Sequence, residues 1–418
     1  MRNPERVLLI GGTPKHLRKA ADLGLGVVYV QFEDEFEDEF APEQRSLAET
    51  VLLTDYTDWR SLRPLAESAY ESWGFSAAVS LTEPGLDPAA RVNDLLGLGG
   101  TPYEVSHRFT DKWLMRRRLA EGPPVGAQRV AAELLTEDAD LDRFGAAHGY
   151  PFIVKPTSGT ASFGVVKVDG ADALGAARQR IRRLHTATDH PLTGAYDIEQ
   201  FMMEEYVPGP LYSVETFSFD GRHVVLTVTE AITRPRTHVH VGHALPARLS
   251  AEDEERMADT ARRFLRAMGF RDGPAHTEII LSPRGPVICE SQNRVGGALL
   301  TDMIDAVYGC DAQSLAISWA LGLADPLPGR PVARGAAASW LVVAEEGRVE
   351  RVEGVERVRA DPDTLAVSLG VGPGDLVRPL EGQWDGLGHI SALGPDTDAA
   401  VDACRRNLRE IRIHTRAA

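Results

Sequence analysis

Cysteine is scarce in this 418-residue sequence: Cys289, Cys310 and Cys404 stand far apart, with no CxxC spacing. That excludes a disulfide framework and a thiolate zinc module, and it fits a reducing, cytoplasmic compartment. Long apolar runs are also missing, none approaching the roughly 18 residues needed to cross a bilayer, and no signal-peptide pattern is read at the start of the chain. A soluble protein is expected. Positive charge is in deficit: 45 Lys and Arg against 61 Asp and Glu leave a formal charge of −16. Neither nucleic acid nor an anionic membrane is therefore an expected partner, since no basic stripe compensates the deficit. There is no GxSxG elbow and no Cys/His pair with motif support, which argues against covalent hydrolase chemistry. No internal repeat or low-complexity tract occurs.

What is present is an ordinary globular composition, 43% hydrophobic and 25% charged, long enough for two or three packed domains. The opening "RVLLI", Gly11-Gly12, "PKHLRKAADLG" and "GVVYVQF" reads as strand, turn, helix and strand, the start of a doubly wound α/β unit. It lacks a full GxGxxG and a ribose-binding acid, so it is not a dinucleotide fingerprint. Glu83 ends the buried strand "AAVSLTEP", where α/β sheets place ligands, although a plain loop acid would sit there equally well. The acidic "EDEFEDEF" (33–40) reads as a solvated face. Further on, "LYSVETFSF-DG-RHVVLTVTEAI" is a hairpin around Asp220-Gly221, and the proline- and glycine-rich 322–335 marks a boundary.

Lys155 raises a sharper question. It lies in "PFIVKP", otherwise a buried strand, where a lysine needs an anionic partner. The Gly/Ser/Thr loop after it, 157–164, has the composition with which a backbone approaches phosphate closely. Lysine precedes the loop and a strand follows, so this is not a Walker P-loop but a hairpin whose tip could fold over a nucleotide. The expectation is that phosphate supplies the missing counter-ion. Lys112 begins another helix, where the macrodipole disfavours a cation and a bound phosphate would remove the conflict. In "HTEIILSPRGPVICESQNR", Glu278 and Glu290 occupy neighbouring strands of a hairpin in apolar surroundings, an arrangement that lets two carboxylates share a hard cation. Arg294 follows at a distance suited to steadying an anionic transition state. His238 and His240 would share a strand face, but no thiol or third same-face ligand accompanies them to make a zinc site.

The order Lys112, Lys155 with its loop, "EEYVPG" (204–209), Glu278 and "ESQNR" resembles the ATP-grasp superfamily, and within it the carboxylate–amine ligases related to bacterial L-amino acid (dipeptide) ligases. The resemblance implies an ATP-grasp fold of the α/β class with a Rossmann-like domain over 1–105. A core over 106–325 would carry a lid at about 125–203, and a biotin-carboxylase-like module would cover 326–418. It implies ATP-dependent activation of a small carboxylate, its coupling to an amine, and a homodimer. Lys112 and Lys155 would bind the α- and β-phosphates; the loop with Ser158, Gly159, Ser162 and Gly164 would close on the γ-phosphate. Glu204, Glu205 and Val207 would line the adenine pocket, Glu278 and Glu290 would hold Mg²⁺ (with Mn²⁺ as a substitute), and Arg294 the reacting carboxyl phosphate. Glu83, His243 of "GHALP", Arg294 and Gly297 would contact substrate. Two departures stand out: Gln292, with Asn293 beside it, occupies the position of a third metal ligand, and Leu211 that of a ribose-binding acid. The alternatives are a biotin- or purine-type carboxylase using carboxyphosphate, and an inactive ATP-binding regulator.

Overall fold

The computed structural model describes residues 5–186, 196, 198–233, 239–380, 382 and 385–417. The amino-terminal stretch folds as expected into a parallel sheet, in the order Thr50–Leu53, Gly26–Gln31, Arg6–Ile10, Ala77–Val79. Its central strands are apolar except at Arg6 and Gln31, and buried except at Arg6, because helices cover both faces. At Gly11 the backbone turns with φ +64°, and a Cβ there would lie 2.7 Å from the Tyr56 hydroxyl, so only glycine fits. The strand Ala77–Val79 runs through a short loop into the helix Glu83–Leu96, which puts Glu83 at a helix start beyond the carboxyl end of the sheet. The acidic 33–40 segment forms the helix Glu33–Glu39, whose Phe36 turns inward against Tyr29 and Phe40.

A four-stranded antiparallel sheet follows, ordered Ala132–Leu135, Phe201–Glu205, Phe152–Pro156, Val166–Val168. The last two strands are the hairpin with the Gly/Ser loop at its tip. Phe144, Phe152, Ile181 and Phe201 form a core beneath this sheet.

The largest element is an eight-stranded sheet. From one edge its strands are Gly285–Gln292, Gly273–Ser282, Leu211–Phe219, Arg222–Thr233, His240–Leu245, Ala336–Val342, Gly388–Gly394 and Thr364–Leu369. The Asp220-Gly221 hairpin turn has φ +51° and +85°, the doubly left-handed pair of a type I′ turn. Helix Ala251–Met268 starts at Ser250, whose hydroxyl accepts from the Asp253 amide, and stops at left-handed Gly269. It lays Met257, Ala261, Phe264 and Leu265 on the sheet. Three of the eight strands lie beyond the 322–335 boundary, so the carboxy-terminal part extends the central sheet instead of standing apart from it. A small sheet, Leu376–Val377, Gly347–Glu353 and Arg412–Arg416, completes that end. Among the described residues no helix is long and apolar enough to cross a membrane.

Candidate active site

The helix Lys112–Glu121, the four-stranded antiparallel sheet and the edge hairpin of the large sheet meet at one cluster of charge. Lys155 is 5% exposed and ion-pairs with Glu204, its diagonal neighbour on the adjacent strand, where Glu204 stands opposite Ile153. The second oxygen of Glu204 accepts from Arg116 Nε at 2.5 Å, and the same guanidinium donates to the carbonyls of Ile288 and Cys289 at 2.9 and 2.7 Å. Burial alone would raise the Glu204 pKa, but Arg116 and Lys155 reverse this and hold it at about 2. Glu290 lies 3.9 Å from both Lys155 and Lys112.

Two expectations change here. Lys155 does have a counter-ion within the protein, Glu204, so phosphate would not be its first anionic partner. Glu204, both oxygens engaged, does not turn its carboxylate toward a base edge, because two buried cations outcompete any neutral donor for it. Glu205 points outward, 4.0 Å from Arg284, and Val207 is buried. The electrostatic conflict at Lys112 is also resolved locally: Asp111 caps the helix, accepting from the Leu114 amide at 2.9 Å, while Lys112 Nζ leaves the helix end to donate to the Gly159 carbonyl at 2.5 Å. That bond ties the lysine to the tip loop, whose Ala161 and Ser162 hold left-handed φ of +55° and +61°. Gly164, at φ +71°, packs so close to Pro156 that a Cβ would come within 2.8 Å of its ring.

Glu278 and Glu290 are directly paired across their antiparallel strands, with a bulge immediately after Glu278 that re-aims the strand. Gln292 donates its amide to Glu290 at 3.1 Å from two residues along the same face. Asn293 donates to Ser106, and its Oδ1 is buried with no hydrogen-bond partner. Behind Glu278, His276 Nδ1 sits 2.6 Å from Glu215 and its Nε2 3.6 Å from Glu278. Burial opposes a charged imidazole, but the two carboxylates overcome it and push His276 up to about 10. Glu278, raised by burial, is brought down to about 2 chiefly by His276. The donor set, two carboxylates with amide oxygens beside them, suits a hard divalent cation. Among the described residues no group of three or more His, Cys, Asp or Glu forms a cage for a metal ion.

Arg294 donates to Glu83 at 2.8 Å and to its neighbour's carbonyl, Val295 O, at 2.9 Å. The Arg294–Glu83 pair joins the segment after the strand Gly285–Gln292 to the amino-terminal domain, and Glu83, Ser158 and Tyr196, without Arg294, help to line a cavity of about 580 Å³. Gly297 has open space where a side chain would be. His243 does not line that cavity. It is buried on the strand His240–Leu245 with Nδ1 unpartnered, and burial, then His240 and His276, lowers it to about 3, leaving a neutral ring. His238 lies outside the described residues.

Arg116, Glu215 and His276 were not foreseen. Glu215 carries the same sequence signal as Glu278, a lone carboxylate in an alternating apolar strand, and Arg116 stands four residues after Lys112 on one helix face.

Comparison with known proteins now adds to this geometry. Residues 148–302 match the model of the ATP-grasp domain, and residues 339–416 that of the L-amino acid ligase C-terminal domain 2. Residues 148–302 thus form an ATP-grasp domain. Carnosine synthase 1 of Gallus gallus is 33% identical over 272 residues, 59% of this chain but only 29% of that protein, so the match spans less than a third of the relative's length. An L-amino acid ligase from Bacillus licheniformis superposes with a TM-score of 0.81 at 21% identity, over 100% of both chains. The biotin carboxylase domain of the 2-oxoglutarate carboxylase from Hydrogenobacter thermophilus, in complex with MgADP, does so with a TM-score of 0.72 at 16% identity, over 99% of this chain and 91% of that one. The ATP-grasp fold expected from the order of the motifs is thus the observed one.

Proposed function

We propose that the protein is an ADP-forming ligase that activates a small carboxylate, an amino acid or a close relative, and couples it to an amine. One observation carries the reading: two buried lysines, Lys112 and Lys155, converge on Glu290, directly opposite Glu278. Cations for a polyphosphate and paired carboxylates for its metal are what phosphoryl transfer requires, since that chemistry rests on positioning and charge neutralisation. In the proposed reaction a carboxylate oxygen attacks the γ-phosphorus of ATP and ADP leaves. The amine then attacks the acyl carbon, and phosphate departs with that oxygen. Lys112 and Lys155 would hold the phosphates, with the 158–164 loop over them, and Glu205 and Val207 would border the base. Arg294, fixed by Glu83, would face the carboxyl undergoing transfer. Glu278 and Glu290, with Gln292 or Asn293, would hold Mg²⁺, which neutralises phosphate charge and polarises the γ-phosphoryl group.

The carboxylase alternative draws on fold likeness alone, whereas the match of 339–416 to an L-amino acid ligase domain favours amide formation. A phosphate-release screen of amino acids, singly and in pairs, tests the proposal; release dependent on bicarbonate instead would favour the carboxylase. The domain limits at 105 and 325, a cytoplasmic location and a homodimer belong to the same proposal. Light scattering at micromolar concentration would find twice the mass of the 45.5 kDa chain, and a monomer would refute the dimer.

A further inference from the structure

The 580 Å³ cavity follows the helix Glu83–Leu96 from Glu83 to Arg91 and is also lined by Thr157, Ser158 and Gln200; Arg294 is joined to it through Glu83. Glu83, Asp87 and Arg91 recur at every fourth residue, so they form one stripe facing it. The carboxylates of the wall already have partners. Glu83 holds Arg294, Asp87 accepts from Ser106 and Thr110 and contacts His107, Asp111 caps its helix, and Glu199 is likewise engaged. Arg91 differs. Its guanidinium lies over the Tyr103 ring at 4.2 Å and 5.7 Å from the centre of Trp59, donates one hydrogen bond, to the Tyr103 hydroxyl at 2.6 Å, and has no carboxylate within ion-pair distance among the described residues. Two aromatic faces fix the plane of the fork and leave most of its five donors unused, the arrangement suited to recognising a carboxylate by paired hydrogen bonds.

We propose that Arg91 binds a terminal carboxylate of the substrate, so that this cavity selects an elongated substrate, anionic at the end away from the reacting group. The inference rests on the ligase reading for the position of the reacting group at Arg294. Eight helical residues separate Glu83 from Arg91, about 12 Å along the axis. An α-carboxylate adjacent to the reacting carbon is too close to span that distance. A dipeptide whose first residue is acidic covers about 7 to 9 Å of it and 2-aminoadipate about 6 Å, and the Arg91 side chain, tilted toward the helix N-terminus, covers the rest. Both sources present the same carboxylate.

The test is calorimetric binding, in the presence of a non-hydrolysable ATP analogue and magnesium, of 2-aminoadipate and of glutamyl-alanine, each compared with the analogue amidated at its side-chain carboxyl. Wild type should bind at least one acid ten times or more tightly than its amide, and which acid does so identifies the source. Arg91→Gln should abolish that preference, and Arg91→Lys should keep part of it, a pattern that a purely structural arginine would not give. Equal binding of acid and amide by wild type, or a preference surviving in a folded Arg91→Gln protein, would overturn the proposal. Phosphate release in the amino-acid screen without acid preference would leave the ligase reading standing and remove this subsite; acid preference with no phosphate release from any pair would do the reverse.

Discussion

Glu204 holds two cations, and all three groups are buried, so removing it should be felt throughout the core. Glu204→Gln leaves the buried Arg116 without a carboxylate and Lys155 with only Glu290, 3.9 Å away, a loss on the order of 3 to 5 kcal/mol. The acid dependence follows from its sign: the folded carboxyl sits at about 2, below its unfolded value, so its contribution is present above about pH 4.5 and lost as pH falls toward 2. Denaturant midpoints across that window should fall faster for wild type than for Glu204→Gln; parallel curves would refute the assignment. Lys155→Met is the milder change, since Arg116 still pairs Glu204. It should lower stability by less than Glu204→Gln and weaken ATP affinity about ten- to a hundredfold, the worth of a charge-assisted contact. A thermal-shift titration reads both, and unchanged nucleotide affinity would make Lys155 purely structural. The sequence revealed that Lys155 needed an anion, because a lysine between Ile153 and Pro156 is conspicuous. It did not reveal that Glu204 was that anion, since the pairing comes from strand register and the "EEYVPG" stretch reads as a loop end.

The hairpin proposed as a lid is short, and at its tip Lys112 donates to the Gly159 carbonyl beside the left-handed turn at Ala161 and Ser162. A ligand phosphate would compete for Lys112 and reorganise that tip, so amides of residues 157–164 should gain protection when a non-hydrolysable ATP analogue and magnesium are added. Hydrogen exchange decides this, and an unaltered rate across those residues would remove the lid role. Elements of this kind were legible in advance: the alternation of the strands, the Asp220-Gly221 turn and the pairing of Glu278 with Glu290 all follow from local patterns. The joining of 336–342 to the central sheet was not, because strand order is set by long-range packing and leaves no local mark.

Across the molecule, the amino-terminal domain is fastened to the core by Arg294–Glu83, Lys15–Asp302 and Lys19–Asp311. The first pair is buried and the other two are partly exposed, so they are not equivalent. Glu83→Gln should cost several-fold more in unfolding free energy than Lys15→Ala, and denaturant titration would contradict this with equal losses. None of these contacts is visible in sequence, where the partners are about two hundred or more positions apart. The central claim, that this assembly activates a carboxylate by phosphorylation, is tested most directly by isotope transfer. With ATP, magnesium, an amine and an amino-acid substrate labelled with ¹⁸O in its carboxyl group, the released phosphate should carry one ¹⁸O, and Glu290→Gln should release none. Formation of ADP and amide with unlabelled phosphate would contradict the account.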